Sequence, residues 1–165
     1  MSLRKSGYTM PQSKPSVLFV CLGNICRSPL AEGIFRHQAG MAGYAQQFHA
    51  GSAGTGAWHA GEPPHPNSIA VAAQNGIDIS GQRARQILRE DLDRFDLIVG
   101  MDASNVANIR QLGTGRAEIL RFLDHGDVPD PWGRGMDQYH AVFELIGQAM
   151  PNLINRLIRA RKLAD

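Results

Sequence analysis

The chain has 165 residues, which suits one compact domain with a real core and is too short for two ordinary ones. Seventeen Lys and Arg against fifteen Asp and Glu leave a formal charge of +2, with only a mild basic cluster at Arg156, Arg159, Arg161 and Lys162. That balance supplies no basic stripe for nucleic acid, and no apolar run approaches the ~20 residues that cross a bilayer.

Residues 1–15 are polar, carry Pro, Gly and Ser, and lack the apolar stretch of a signal peptide. They are expected to form a flexible leader, in part an expression scar, outside the fold. The domain is then expected over 16–165. Cys21 and Cys26 are the only cysteines and share one loop, which is no disulfide framework and points to a reducing, cytoplasmic setting.

In chain order, a first strand is predicted at 17–21, from the apolar run Val17-Leu18-Phe19-Val20. It runs into Leu22-Gly23-Asn24-Ile25-Cys26-Arg27 and then a helix signal, with Ser28 as N-cap, Pro29 at the first position, Glu32 in the first turn and a core stripe of Leu30, Ile34 and Phe35. A second strand is expected at 48–52 and a second helix from Pro66 to Gln74, stopped by Asn75-Gly76. Strands at 96–100 and 117–122 are short and rich in β-formers, as central strands are. Between them a helix starts at Asp102. A last helix begins near Asp137 and carries Tyr139, Val142, Phe143 and Ile146 at helical spacing, and Pro151 is expected to kink or break it. Strands alternating with helices imply parallel strands and crossovers, so the strand C-termini should bring together the 21–28 loop and the long connections 51–66 and 124–135.

The first of these loops carries the chemistry. A strand that turns sharply into a helix start aims backbone N–H groups at one point, which makes an anion site. Arg27 adds a planar fork matching two phosphate oxygens, and Cys21 places a thiol whose ionised form the same positive field favours. A nucleophile in a phosphate cradle is a phosphatase design. Gly23 allows close backbone approach, and Asn24 tolerates a left-handed conformation while bracing the loop. His59 and His65 lack the spacing and companions of a metal pair, and Gly51-x-x-Gly54-x-Gly56 is a poor dinucleotide fingerprint.

The run from Val17 through Cys21-Leu22-Gly23-Asn24-Ile25-Cys26-Arg27-Ser28-Pro29 to Glu32 resembles the signature of the low-molecular-weight protein tyrosine phosphatases. Further matches follow at Ser52-Ala53-Gly54-Thr55, Trp58-His59, Gly76-Ile77-Asp78-Ile79-Ser80, Ala84-Arg85-Gln86, Met101-Asp102 and Asp130-Pro131-Trp132, so the likeness spans Ser16 to about Arg161. It implies a single-domain α/β fold: a central parallel sheet of about four strands flanked by helices on both faces, a flavodoxin-like three-layer sandwich. It also implies hydrolysis of phosphotyrosine in proteins, and of aryl phosphates, without metal or organic cofactor. Partners expected are phosphotyrosine proteins but neither nucleic acid nor membrane, with the chain itself a monomer or weak homodimer.

By the same resemblance, residues 22–28 bind the phosphate: Leu22, Gly23, Asn24, Ile25, Cys26, Arg27 and Ser28. Cys21 is the nucleophile that becomes a cysteinyl-phosphate, and Arg27 clamps the phosphate. Asp130 protonates the leaving phenolate and then activates water; Asp127 and Asp124 are nearby alternatives, but only Asp130 precedes Pro-aromatic. Ser28 resembles a hydroxyl that hydrogen-bonds the thiolate, a role compatible with capping. Trp58 and Trp132 resemble cleft walls for a tyrosyl ring. Cys26 is either a redox partner that closes a protective disulfide with Cys21 or a small apolar filler. Bacterial-looking relatives carry a His where this chain has Gln82; Gln can brace Asn24 likewise but carries no charge.

Three rival readings are weighed. An arsenate reductase on this fold needs relay cysteines that the chain lacks. A protein arginine phosphatase would resemble relatives that carry Thr where this loop has Ile25, and the apolar Ile favours a phenyl phosphate. A non-enzymatic phosphate-binding module would be expected to have lost Cys21, Arg27 or Asp130.

Overall fold

The computed structural model describes residues 14–164. The expected leader therefore lies, up to residue 13, outside the described residues. The sheet already reaches back to Pro15, whose carbonyl accepts from His49 N–H at 3.0 Å.

Four strands, β1 (Ser16–Cys21), β2 (His49–Gly54), β3 (Leu97–Gly100) and β4 (Glu118–Arg121), pair in parallel in the order β2-β1-β3-β4. β1 sits centrally and is buried throughout, as its continuous apolar run requires when both sheet faces are covered. Alternation splits it between two cores: Val17, Phe19 and Cys21 face one, Leu18 and Val20 the other. The first core is closed by helices α1 (Arg27–Met41), α2 (Pro66–Gln74) and α5 (Met136–Ala164). The second packs against α3 (Asp91–Arg94), through Leu92, and α4 (Ala103–Arg110), through Ile109. The result is the three-layer flavodoxin-like arrangement expected. No helix among the described residues is long and apolar enough to cross a membrane.

Three local expectations change. The segment 117–122 is not central: β4 is the sheet edge, and Glu118 is exposed while Ile119, Leu120 and Arg121 are half-buried. Its β-forming residues serve the single partner β3, and composition alone cannot tell an edge from a centre.

The first helix starts two residues earlier than predicted. Cys26 occupies the N-cap position with no side-chain cap, so Ser28 and Pro29 lie inside the first turn and Glu32 moves beyond it. Glu32 instead pairs with Arg36 across one turn at 3.0 Å.

The last helix runs through Pro151 unbroken. Proline removes the N–H that would bond the Gly147 carbonyl. Gln38 of α1 fills the vacancy, its Nε2 donating to Gly147 O at 2.9 Å. A cross-helix hydrogen bond replaces the lost rung.

Candidate active site

The loop after β1 packs so close to β2 that a Cβ on Gly54 would stand 2.9 Å from Leu22 O. That contact turns the chain over the sheet edge. Asn24 completes the turn at φ 60°, a left-handed conformation that Asn tolerates better than most residues. Its buried side chain then ties three segments together. Nδ2 donates to Ser28 Oγ at 2.7 Å and to Ser52 Oγ at 3.0 Å, while Oδ1 accepts from Arg85 N–H at 3.0 Å. Gln82 makes no hydrogen bond to Asn24. It accepts from Ser52 Oγ at 3.5 Å and donates to Pro29 O at 3.1 Å, so any bracing passes through Ser52.

Two features leave this loop open to an anion. Among the described residues, the backbone N–H groups of 23–27 donate to no other group. The uncapped start of α1 adds its dipole in the same direction.

Cys21 Sγ lies 3.0 Å from Ser28 Oγ and 3.4 Å from Ser28 N. Because Asn24 Nδ2 already donates to Ser28 Oγ, the hydroxyl proton points either at the sulfur or at Ala53 O, 3.4 Å away. A thiolate there can accept two hydrogen bonds from one residue.

Arg27 is almost fully buried, an expensive position for a charge unless it is held. Nη1 donates to Asp102 Oδ2 at 2.6 Å and to Val128 O at 2.9 Å. Nη2 stands 3.7 Å from Asp130 Oδ2. Nε is buried with no partner. Burial opposes the charge, but Cys21, Asp102 and Asp130 outweigh it and raise the pKa above its ordinary value. One edge of the guanidinium is thus anchored and the Nε edge is left for a ligand.

A cavity of about 240 Å³ unites Cys21, Leu22, Gly23, Ile25, Cys26 and Arg27 with Asp130 of the 124–135 connection. Trp58 and Trp132 line its mouth, 69% and 61% exposed, and so are not core tryptophans. Gly56 has no Cβ to oppose the Trp58 ring folded across it. Asn24 and Ser28 are buried behind the loop rather than in the cavity lining. Asp130 Oδ1 accepts from Trp132 N–H at 3.1 Å, which fixes the carboxylate at the rim. Asp127 turns elsewhere, accepting from Ala103 N–H at 3.0 Å, and neither it nor Asp124 lines the cavity.

Cys26 reaches below the loop, its Sγ 3.4 Å from Tyr139 Oη of α5. Burial pushes its thiol up to about 12, against a smaller lowering by the Tyr139 hydrogen bond. Burial also raises the Tyr139 hydroxyl. The Tyr139 ring stacks on His65 with centroids 5.1 Å apart.

Sequence reasoning missed four participants: Asp102, the Val128 carbonyl, Tyr139 and His59. Asp102 was visible as a helix start and as part of the Met101-Asp102 match, without a role at Arg27. His59 lines the cavity beside Trp58 and bonds Glu62 Oε1 through Nδ1 at 3.0 Å. Its place next to Trp58 in a long loop was the available signal.

The profile of the low molecular weight phosphotyrosine protein phosphatases matches residues 16–163. The low molecular weight protein-tyrosine-phosphatase YfkJ of Bacillus subtilis is 41% identical over 156 residues, covering 90% of this chain and 99% of that protein. A Streptomyces coelicolor low molecular weight protein-tyrosine-phosphatase is 38% identical, covering 84% and 90%. The crystal structure of YfkJ superposes with a TM-score of 0.83 at 39% identity, covering 90% and 98% of the two chains. The arginine phosphatase YwlE superposes at 0.81 with 27% identity, covering 90% and 99%.

The chain belongs to the low molecular weight phosphotyrosine protein phosphatase family. It is a phosphoric monoester hydrolase of the cysteine-dependent kind, acting on phosphoproteins.

Proposed function

We propose that Cys21, Arg27 and Asp130 carry out phosphotyrosine hydrolysis in two displacements. The Cys21 thiolate attacks phosphorus as the bond to the tyrosyl oxygen breaks, and Asp130 in its acid form gives that oxygen its proton. Water then attacks the cysteinyl-phosphate, Asp130 takes a water proton, and the Sγ–P bond breaks to release phosphate. Arg27 Nε and Nη2 hold two phosphate oxygens and follow their charge through both transition states. Ser28 donates to Sγ and improves it as the leaving group of the second step. Trp58 and Trp132 flank the tyrosyl ring.

The observation that carries this reading is that Cys21, Arg27 and Asp130 line one small cavity while Arg27 Nε is buried without a partner. A phosphate oxygen would satisfy it. The test is turnover of p-nitrophenyl phosphate and a phosphotyrosine peptide, with Cys21→Ser as comparison. Wild type should turn over both, while Cys21→Ser should lose turnover yet still be stabilised against heat by inorganic phosphate. A Cys21→Ser protein with residual turnover near wild type would overturn the assignment. The reducing interior such a thiol needs makes the cytoplasm its working compartment.

The likeness to an arginine phosphatase gives a second reading some support. Ile25, 7% exposed and lining the pocket, keeps the pocket apolar and favours a phenyl phosphate. Ile25→Thr should lower kcat/KM on phosphotyrosine by ~1–2 kcal/mol and raise it on phosphoarginine. Wild-type preference for phosphoarginine would reverse the choice.

A further inference from the structure

We propose that the groove between Trp132 and the first turns of α2 holds the polypeptide next to the phosphotyrosine, and selects an apolar side chain there. This rests on the phosphotyrosine reading above. A second cavity, of about 530 Å³, opens beside the phosphate pocket and shares Ile25, His59 and Trp132 with it. It is more than twice the volume of the phosphate pocket, and the two adjoin at those three side chains.

A phosphotyrosine within a protein brings its backbone and neighbouring side chains to the pocket mouth. The adjoining groove is built to receive a side chain rather than a strand. Pro63, Pro64 and Pro66 contribute to its wall, and proline has no N–H with which to pair an incoming backbone. Their fixed φ angles also keep the wall in place without a ligand.

The groove's other wall is α2. Ser68, Val71 and Ala72 face the core and are buried, while Ile69 and Ala70 are half-buried and line the groove. A surface helix ordinarily turns polar residues outward. Here it turns an apolar pair, of which Ile69 also packs against the core, toward a stretch of surface that adjoins the phosphate site.

Charge favours the same occupant. Glu62 is the one carboxylate among the lining residues, and it is bonded to His59 Nδ1. An acidic flanking residue would meet like charge, whereas an aliphatic one would cover Ile69 and Ala70. The site therefore reads one neighbour of the phosphotyrosine, and Ile69 and Ala70 are specificity-determining residues that leave the chemical steps alone.

The test uses phosphotyrosine peptides with a Gly-Ser background, in which a single Leu is stepped through the three positions on either side. Wild type, Ala70→Asp and Ile69→Thr are compared on these and on p-nitrophenyl phosphate, which has no flanking chain. Leu at one or two positions should raise wild-type kcat/KM roughly 10-fold over the plain peptide, the scale of an apolar pocket contact. Ala70→Asp should erase that gain and Ile69→Thr should reduce it, with p-nitrophenyl phosphate turnover retained. Should Ala70→Asp fail to fold, Ile69→Thr alone decides. A wild type indifferent to Leu at every position, or a gain that survives both substitutions, overturns the groove and leaves the phosphotyrosine reading standing. Failure on every phosphotyrosine peptide, with p-nitrophenyl phosphate still hydrolysed, overturns both.

Discussion

Asp102 holds Arg27 with one carboxylate oxygen and starts α4 with the other. Oδ2 accepts from Arg27 Nη1 at 2.6 Å, while Oδ1 accepts from Asn105 N–H at 2.7 Å and Asn105 Oδ1 in turn accepts from the Asp102 N–H at 3.1 Å. The capping box thus aims the phosphate-binding guanidinium from the end of β3.

The two functions of Asp102 can be separated by substitution. Asp102→Asn leaves one acceptor oxygen, which keeps the N-cap but turns a donor NH2 toward Arg27 Nη1. It should lower thermal stability, because the buried guanidinium loses its carboxylate partner, and weaken inhibition by inorganic phosphate about 10-fold as Arg27 loses a charge-assisted bond. Asp102→Ala should also lose about 1 kcal/mol of stability with the cap. Denaturation curves and phosphate inhibition constants for both variants check this; equal stability losses would show that the cap is irrelevant.

Asp130→Ala should lower kcat roughly 10²–10⁴-fold on phosphotyrosine, the usual contribution of a positioned acid. The loss should shrink along a series of increasingly acidic phenols, which leave without a proton. Asp127→Ala should show no such trend, because that carboxylate is occupied by the Ala103 amide and Arg121. A flat leaving-group dependence for Asp130→Ala would assign the proton to another group.

Cys26 should make stability fall in alkali. Its folded thiol titrates at about 12 against 9.0 for the reference thiol, so above pH 9 the unfolded chain gives up a proton that the native chain keeps. The contribution is whole below pH 9 and declines between about 9 and 12, by up to about 1.4 kcal/mol per pH unit. Tyr139, also raised by burial, acts in the same direction. Unfolding free energies at pH 8 to 11 should show a shallower decline for Cys26→Ala than for wild type. Parallel curves would mean that Cys26 ionises as readily folded as unfolded.

Gln38 and Pro151 should be energetically coupled although they do not touch through their own polar groups. Gln38→Ala strands the Gly147 carbonyl and should cost about 1 kcal/mol. In a Pro151→Ala background residue 151 regains an N–H for that carbonyl, and the same substitution should cost little. A double-mutant cycle on unfolding free energies measures the difference. An additive cycle would show that Gln38 does not replace the missing rung.

Much of the fold was legible because its signals are local. A run of four apolar residues, a Pro at a helix start or an Asn-Gly at a helix end each acts within a few positions, and all four strands and the main helices came from such signals. The core of the proposed site was legible for the same reason. Cys21 and Arg27 stand in one loop, so their meeting needs no long-range folding, and Asp130 is marked by the Pro-Trp that follows it. Tertiary structure decided what holds these groups. Asp102 and Val128 reach Arg27 from 75 and 101 positions away, and no local pattern records which of several acids and carbonyls the sheet will bring there. The edge place of β4 and the unbroken course of α5 through Pro151 are likewise settled by neighbours: one missing strand partner, and one glutamine on another helix. Local sequence chooses the elements and the chemistry, because steric and hydrogen-bond preferences act over a turn or a strand. Packing of distant segments chooses which charges are held and which are left free for phosphate.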